Sequence, residues 1–176
     1  MDEQQLIAGC KQGNRLAQRE LYEKYARKMG AVCLRYVNDK ETARDLTQDG
    51  FIKVFTNIQT YTGTGSFEGW MRKIFVNGAL EYLRKSDVLR ESTDLDNTAE
   101  LVQPDASAVS KLSADELMQL IRDLPPGFRT VFNMFAIEGY SHREISEALG
   151  ITESTSRSQY TRARQLLQKQ IKELYT

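Results

Sequence analysis

The sequence predicts an all-α protein: two small helical domains joined by a flexible linker, the C-terminal one containing a helix-turn-helix. Three observations carry this. Apolar side chains recur at three- and four-residue steps in the N-terminal half, the period of a helix that buries one stripe. The pattern then gives way to an acidic, polar stretch. Beyond it, serine-led capping boxes and a glycine-containing turn mark short helices that cross steeply.

A short helix is expected near residues 4–11. Tyr22, Tyr25, Ala26, Met29, Val32, Cys33, Tyr36 and Val37 then share one helical stripe, which Asn38 and Asp39 interrupt. Asp39 suits the N-cap of a second long helix, carrying Ala43, Leu46, Phe51, Val54, Phe55 and Ile58 as far as about Thr60. Tyr61-Thr62-Gly63-Thr64-Gly65-Ser66 mixes glycines with hydroxylated side chains and reads as a loop, with Ser66 poised to cap the next helix. That third long helix, over about 67–85, gathers Trp70, Met71, Ile74, Phe75, Gly78 and Tyr82 on a broad apolar face, while Arg72, Lys73, Arg84 and Lys85 project elsewhere. Together these elements make a small bundle, residues 1–86.

Between 86 and 105, Asp87, Glu91, Asp94, Asp96, Glu100 and Asp105 stand against Arg90 alone, with no sustained apolar period. Such a stretch cannot recover its ordering entropy by burial, so residues 87–112 are expected to be a flexible linker.

Order resumes where Ser113 and Glu116 form a capping box ahead of Leu117, Leu120, Ile121 and Leu124, and Pro125-Pro126-Gly127 stops that helix. The next runs from Phe128 to about Glu138, with Val131, Phe132 and Phe135 on one face, and ends at Gly139, suited to a left-handed C-cap. Ser141 and Glu144 then box the start of a helix too short to stand alone, which carries Ile145, Ala148 and Leu149 and ends at Gly150. Ile151 and Thr152 lead into a long helix from Glu153 to about Leu174. This is the pattern of a helix-turn-helix, in which the second helix enters a major groove while the first braces it, and it defines a domain over 113–176.

Charge decides where nucleic acid could bind. Lys+Arg and Asp+Glu are equal at 24 each, so positive charge must be concentrated locally. The last helix meets that requirement: Arg157, Arg162, Arg164, Lys169 and Lys172 stand against Glu153 and Glu173. Ser154, Thr155, Arg157, Ser158 and Gln159 are early enough on it to face base edges, where arginine reads guanine and glutamine adenine. Arg162 and Arg164 suit phosphates. The plain alternative is a helical hairpin with a solvated basic face; the capping residues Ser141 and Thr152 on either side of Gly150 weigh against it.

Other chemistries find no support. Cys10 and Cys33 have no second cysteine at metal-binding spacing and read as small buried hydrophobes, so no metal and no cofactor is expected. His142, the one histidine, is expected to be an exposed first-turn residue with no nucleophile or carboxylate constellation around it. Thr62-Gly63-Thr64-Gly65 lacks the lysine of a P-loop. Neither a catalytic centre nor a membrane span or secretory leader is legible, which leaves a cytoplasmic, non-enzymatic protein as the expectation.

Several segments resemble the extracytoplasmic-function (ECF) subfamily of bacterial RNA polymerase sigma factors. In the C-terminal half these are Leu124-Pro125, Gly139-Tyr140-Ser141-His142-Arg143-Glu144-Ile145, Leu149-Gly150, Arg157-Ser158 and Arg162-Ala163-Arg164. Ala43 to Phe55 is similar to the family's polymerase-binding helix, and Phe67-Glu68-Gly69-Trp70 through Ile74, with Asn77, to its promoter-melting segment. The resemblance implies that the N-terminal domain binds core RNA polymerase, through Asp45, Gln48, Asp49, Phe51 and Lys53, and opens the minus-ten element. There a flipped base would sit by the loop 62–67, contacted by Thr64, Ser66 and Phe67, with Asn77 nearby and Arg84 further along. Trp70 and Phe67 could supply stacking surfaces, although an aromatic at helical spacing is more often core, the reading preferred for Trp70.

The same resemblance gives the C-terminal domain the minus-thirty-five element, read by the residues above together with Arg143. It implies promoter DNA as a partner and an anti-sigma factor as a possible one. The chain departs from the family pattern at Ile74-Phe75-Val76 ahead of Asn77, at Glu81 where aspartate is usual, at Ser156 where valine is usual, and at Gln159, often arginine. The rival is a LuxR-like helix-turn-helix regulator, which would need a strand-containing sensing or receiver domain where residues 1–85 read helical throughout.

Overall fold

A computed structural model describes residues 1–86 and 112–175; the expected flexible linker falls almost wholly on residues 87–111, outside the described residues. All regular elements among the described residues are helical, as the sequence predicts, and they fall into two compact units, Met1–Tyr82 and Leu83–Thr176.

In the first unit, α1 (Glu3–Lys11) starts on a capping box that the apolar pattern does not reveal: Gln5 N donates to Asp2 Oδ1 at 2.8 Å and Asp2 N donates to Gln5 Oε1 at 2.9 Å. Helix α2 (Arg15–Val37) begins well before Tyr22 because Asn14 caps it, accepting from the amides of Leu16 and Ala17. It stops where Asn38 adopts φ 52°, the left-handed region asparagine tolerates. Helix α3 (Lys40–Asn57) is capped by Asp39, which accepts from Thr42 N at 3.0 Å, and a 3-10 turn (Ile58–Thr60) comes after it. Helix α4 (Phe67–Lys85) opens with Gly69 N donating to Ser66 Oγ at 3.1 Å.

The interior of this unit is built from aromatic rings. Phe51 meets Phe75 edge-on at 5.1 Å and Tyr22 at 4.9 Å, and Phe67 is enclosed by Tyr25, Tyr61 and Trp70. Gly50 lets α3 reach this cluster: a Cβ there would lie 2.2 Å from Phe75 Cε1. Cys10 and Cys33 are buried, and burial pushes their thiols up, Cys33 to about 11, so both act as small apolar side chains.

In the second unit, α5 (Ala114–Arg122) carries the expected Ser113 capping box. Helix α6 (Pro126–Phe132) starts at Pro126, two residues ahead of Phe128, because proline is favoured at a first helical position, where its missing N–H would have had no partner. The expected continuation to Glu138 widens into a π-helical turn (Asn133–Ile137) and ends near Gly139 at φ 79°. Helices α7 (His142–Leu149) and α8 (Glu153–Leu174) complete the unit. Ile121, Leu124, Phe128, Ala163 and Leu167 form its apolar centre. Arg129 is also interior: its Nη1 donates to Arg122 O at 2.8 Å, satisfying a carbonyl in the last turn of α5. No described helix is long and apolar enough to cross a membrane.

Candidate nucleic-acid and protein interfaces

The geometry of α7 and α8 comes from three local choices. Ser141 accepts from Glu144 N while Glu144 Oε1 accepts from Ser141 N, fixing the start of α7. Gly150 ends it at φ 68°, a conformation that costs an L side chain about 1 kcal/mol or more. Thr152 Oγ1 then accepts from Thr155 N at 3.0 Å and starts α8 after a turn of only three residues. Ser156, Ala163, Leu167 and Ile171 turn inward. With that stripe fixed, Ser154, Arg157, Ser158, Thr161 and Arg164 are exposed, while Thr155, Gln159 and Arg162 are half-buried on its flank. Thr161, one turn beyond Arg157 on the open face, is not singled out by the sequence pattern; its position depends on which stripe packs.

Arg157 approaches Glu153 at 3.5 Å and Arg143 approaches Glu147 at 3.4 Å, all four side chains being largely exposed. Pairs of this kind contribute at most about 1 kcal/mol and leave both guanidinium groups available to phosphate or base. Arg164 lies over the Tyr160 ring, 5.9 Å from its centroid.

His142 is not the exposed first-turn residue expected. Its ring stacks on Phe135 with centroids 4.2 Å apart and planes 9° from parallel, and its Nδ1 is 2.8 Å from Ser156 Oγ. Partial burial, and secondarily the Arg157 charge, hold its pKa below the usual value, with Glu153 opposing.

In the first unit, the loop at 62–66 is exposed and held at both ends. Lys11 Nζ donates to Tyr61 O at 2.8 Å, Gln59 Nε2 donates to Lys11 O at 2.6 Å, and Tyr61 OH donates to Gly65 O at 2.8 Å. Thr64 and Ser66 are open to a ligand there. Phe67 is not: it is 2% exposed, so its assignment as a nucleic-acid contact is corrected to a core position. Trp70, stacked on Phe67 at 5.6 Å, is only half-buried, which reverses the order of preference between the two rings. Asn77 is exposed on a stripe of α4 with Lys73, Glu81 and Arg84. At 1.5 Å per residue it stands about 15 Å along the helix from Phe67, so the loop and Asn77 do not line one pocket.

On α3, Asp45, Gln48, Asp49 and Lys53 are exposed, and Lys53 Nζ lies 3.7 Å from Glu81 Oε2. Phe51 is 3% exposed among Tyr22, Phe55 and Phe75, so the polymerase contact assigned to it is likewise corrected to core packing. Ile52, by contrast, is on the surface, 63% exposed in the same stripe as Asp45, Gln48 and Asp49. A sequence signal for it exists: Ile52 is the apolar residue of α3 that falls out of register with the inward stripe. No group of three or more His, Cys, Asp or Glu side chains able to hold a metal occurs among the described residues.

A helix-turn-helix unit preceded by a separate helical bundle, with no strand among the described residues, defines a class of helical transcription protein. Two family matches sharpen it: Sigma-70 region 2 over residues 21–88 and Sigma-70 region 4 over residues 114–167. The ECF RNA polymerase sigma factor SigE of Mycolicibacterium smegmatis is 36% identical over 153 residues, covering 84% of this chain and 59% of that protein, so the chain spans about three fifths of that relative. The ECF RNA polymerase sigma-E factor of Haemophilus influenzae is 26% identical over 185 residues, covering 99% of this chain and 97% of that one. In fold, the chain is similar to the sigma factor RpoE from Bartonella quintana, solved in complex with the anti-sigma factor NepR, with a TM-score of 0.52 at 18% identity over 86% of this chain and 94% of that one. The chain belongs to the ECF subfamily of bacterial RNA polymerase sigma factors.

Proposed function

We propose that this chain binds core RNA polymerase and directs promoter-specific initiation as a cytoplasmic binding subunit without catalytic activity. The observation that carries the reading is the split face of α8: an inward stripe locks the helix behind a tight turn, which leaves Ser154, Arg157, Ser158 and Arg164 exposed on one side. With Thr155, Gln159, Arg162 and Arg143, these residues engage the minus-thirty-five element, arginine and glutamine reading base edges and the later arginines holding phosphates.

Residues 1–86 engage polymerase through Asp45, Gln48, Asp49, Lys53 and Ile52. The same domain holds the opened minus-ten strand through Thr64, Ser66, Asn77 and Arg84. Unstacking a base costs a few kcal/mol, which a loop anchored at both ends offsets better than a loose one, because its ordering cost is already met on folding. Residues 87–112 join the two, and the 113–176 domain supplies the upstream contact. An anti-sigma factor is a further partner in this reading, since the Bartonella relative was solved with one.

The test is transcription by core RNA polymerase with the purified chain added. The expected result is initiation at a defined set of start sites that share an upstream element. Binding to DNA without binding to core polymerase would overturn the reading and favour a regulator that acts from outside the enzyme.

A further inference from the structure

Ser156 is completely buried, yet it is a hydroxyl in the first turns of α8, between Thr155 and Arg157. A buried hydroxyl is costly unless bonded, and Ser156 Oγ meets His142 Nδ1 at 2.8 Å, across the turn on α7. The imidazole cannot swing freely, because it lies flat on Phe135. Phe135 in turn packs at 4.6 Å on Tyr160, one helical turn past Ser156, and Tyr160 carries Arg164 over its ring. One connected set of side chains therefore touches α8 at two successive turns on its inner face. From the π-helical turn Phe135 faces the imidazole, and from α8 come Ser156, Tyr160, Arg157 and Glu153, the last two setting the local charge.

We propose that His142 is a positioning residue for base selection: through its hydrogen bond to Ser156 and its stack on Phe135 it fixes the rotation of α8 about its own axis, and so decides which bases Arg157 and its neighbours can reach. An apolar contact at this position would hold the two helices together but is non-directional and tolerates sliding. A 2.8 Å hydrogen bond is directional and does not. A rotation of α8 by a fraction of a turn moves the Arg157 guanidinium across the groove by more than the tolerance of a bidentate base contact, while phosphate contacts, made by longer-range charge, survive it. The inference rests on the proposal that α8 reads an upstream element.

The experiment uses the full-length chain bound to core polymerase and a random library in the upstream duplex. Selected sequences and the discrimination ratio at each position are compared for wild type, His142→Phe, His142→Asn and Ser156→Ala. His142→Phe keeps a flat ring on Phe135 but cannot bond Ser156; His142→Asn places an amide where Nδ1 stood. Losing one net hydrogen bond corresponds to about a fivefold fall in discrimination, expected for His142→Phe and Ser156→Ala at the bases facing 154–158, with non-specific affinity retained. His142→Asn restores part of it. Unchanged ratios in both His142→Phe and Ser156→Ala overturn the inference, as does a His142→Asn profile no better than that of His142→Phe. Should His142→Phe fail to fold, Ser156→Ala decides alone, its loss being one oxygen. A wild-type chain that selects no upstream sequence at all overturns the underlying reading and this inference together, whereas wild-type selection with insensitive variants overturns only the latter.

Discussion

The interiors of the two units are made differently. In the first, apart from the hydroxyls of its buried tyrosines, Thr47 is the one buried polar residue among those described, and its hydroxyl is satisfied within its own helix by Ala43 O at 2.6 Å. In the second, Arg129, Thr130, Asn133 and Ser156 are all buried. The first unit is held by ring volume and shape, the second in good part by directed hydrogen bonds. Volume errors should therefore damage the first, and the loss of a single donor the second. The chain's one tryptophan, Trp70, lies in the first unit, so its fluorescence reports on that unit, while far-UV circular dichroism reports on both.

The largest effect is expected from Phe67→Ala. Removing a ring packed by Tyr25, Tyr61 and Trp70 costs about 3–5 kcal/mol by lost transfer energy and a residual cavity. The Trp70-detected urea midpoint should fall accordingly. An unshifted midpoint with impaired promoter opening would return Phe67 to the role of a nucleic-acid contact.

Next is Arg129→Met, which keeps much of the aliphatic volume and removes the donor to Arg122 O and Leu124 O. Leaving those carbonyls without it costs about 2–3 kcal/mol. The loss should appear in a circular-dichroism transition to which Trp70 is blind. If the Trp70 transition moved equally, the contrast between the units would be lost.

Gly50→Ala ranks third, at about 1–3 kcal/mol from overpacking, because the new Cβ would meet the Phe75 ring at 2.2 Å and that ring is itself 1% exposed. The change adds helix propensity, so the sign alone is diagnostic: a stabilised α3 in the Trp70 transition would mean that Phe75 has room to move.

What can be read in the sequence divides along the same line. The stripes of α2 to α4 are legible because an apolar core announces itself by period, and Ser66, Ser113, Ser141 and Thr152 are legible because caps are local. Phe51 and Phe67 read as surface contacts because a motif says which segment matters but not which of its faces is inward. The site on α8 is legible as a segment, while its division into an open and a flanking stripe waits on knowing that Ser156 is buried. Arg129 and the His142–Ser156 bond are illegible for a common reason: a polar residue in a helix reads as solvated, and only a partner outside its own helix, Arg122 O for Arg129 and His142 for Ser156, makes its burial tolerable.

The smallest expected effect is a pH dependence, and it tests that last point. His142 has its pKa below the ordinary value in the folded chain, so near and below that ordinary value the unfolded chain binds more protons than the folded one. The stability contributed by the neutral ring is therefore full above about pH 6.5 and is lost as pH falls through the lower folded value. Because His142 is the only histidine, the circular-dichroism transition of the second unit should weaken on going from about pH 7.5 toward about 5.5 in wild type and lose most of that slope in His142→Phe. The Trp70 transition, with no histidine in its unit, should keep the same slope in both proteins. A wild-type slope of the opposite sign would mean that Glu153 outweighs burial and Arg157 at the imidazole, and that the ring is held as a cation.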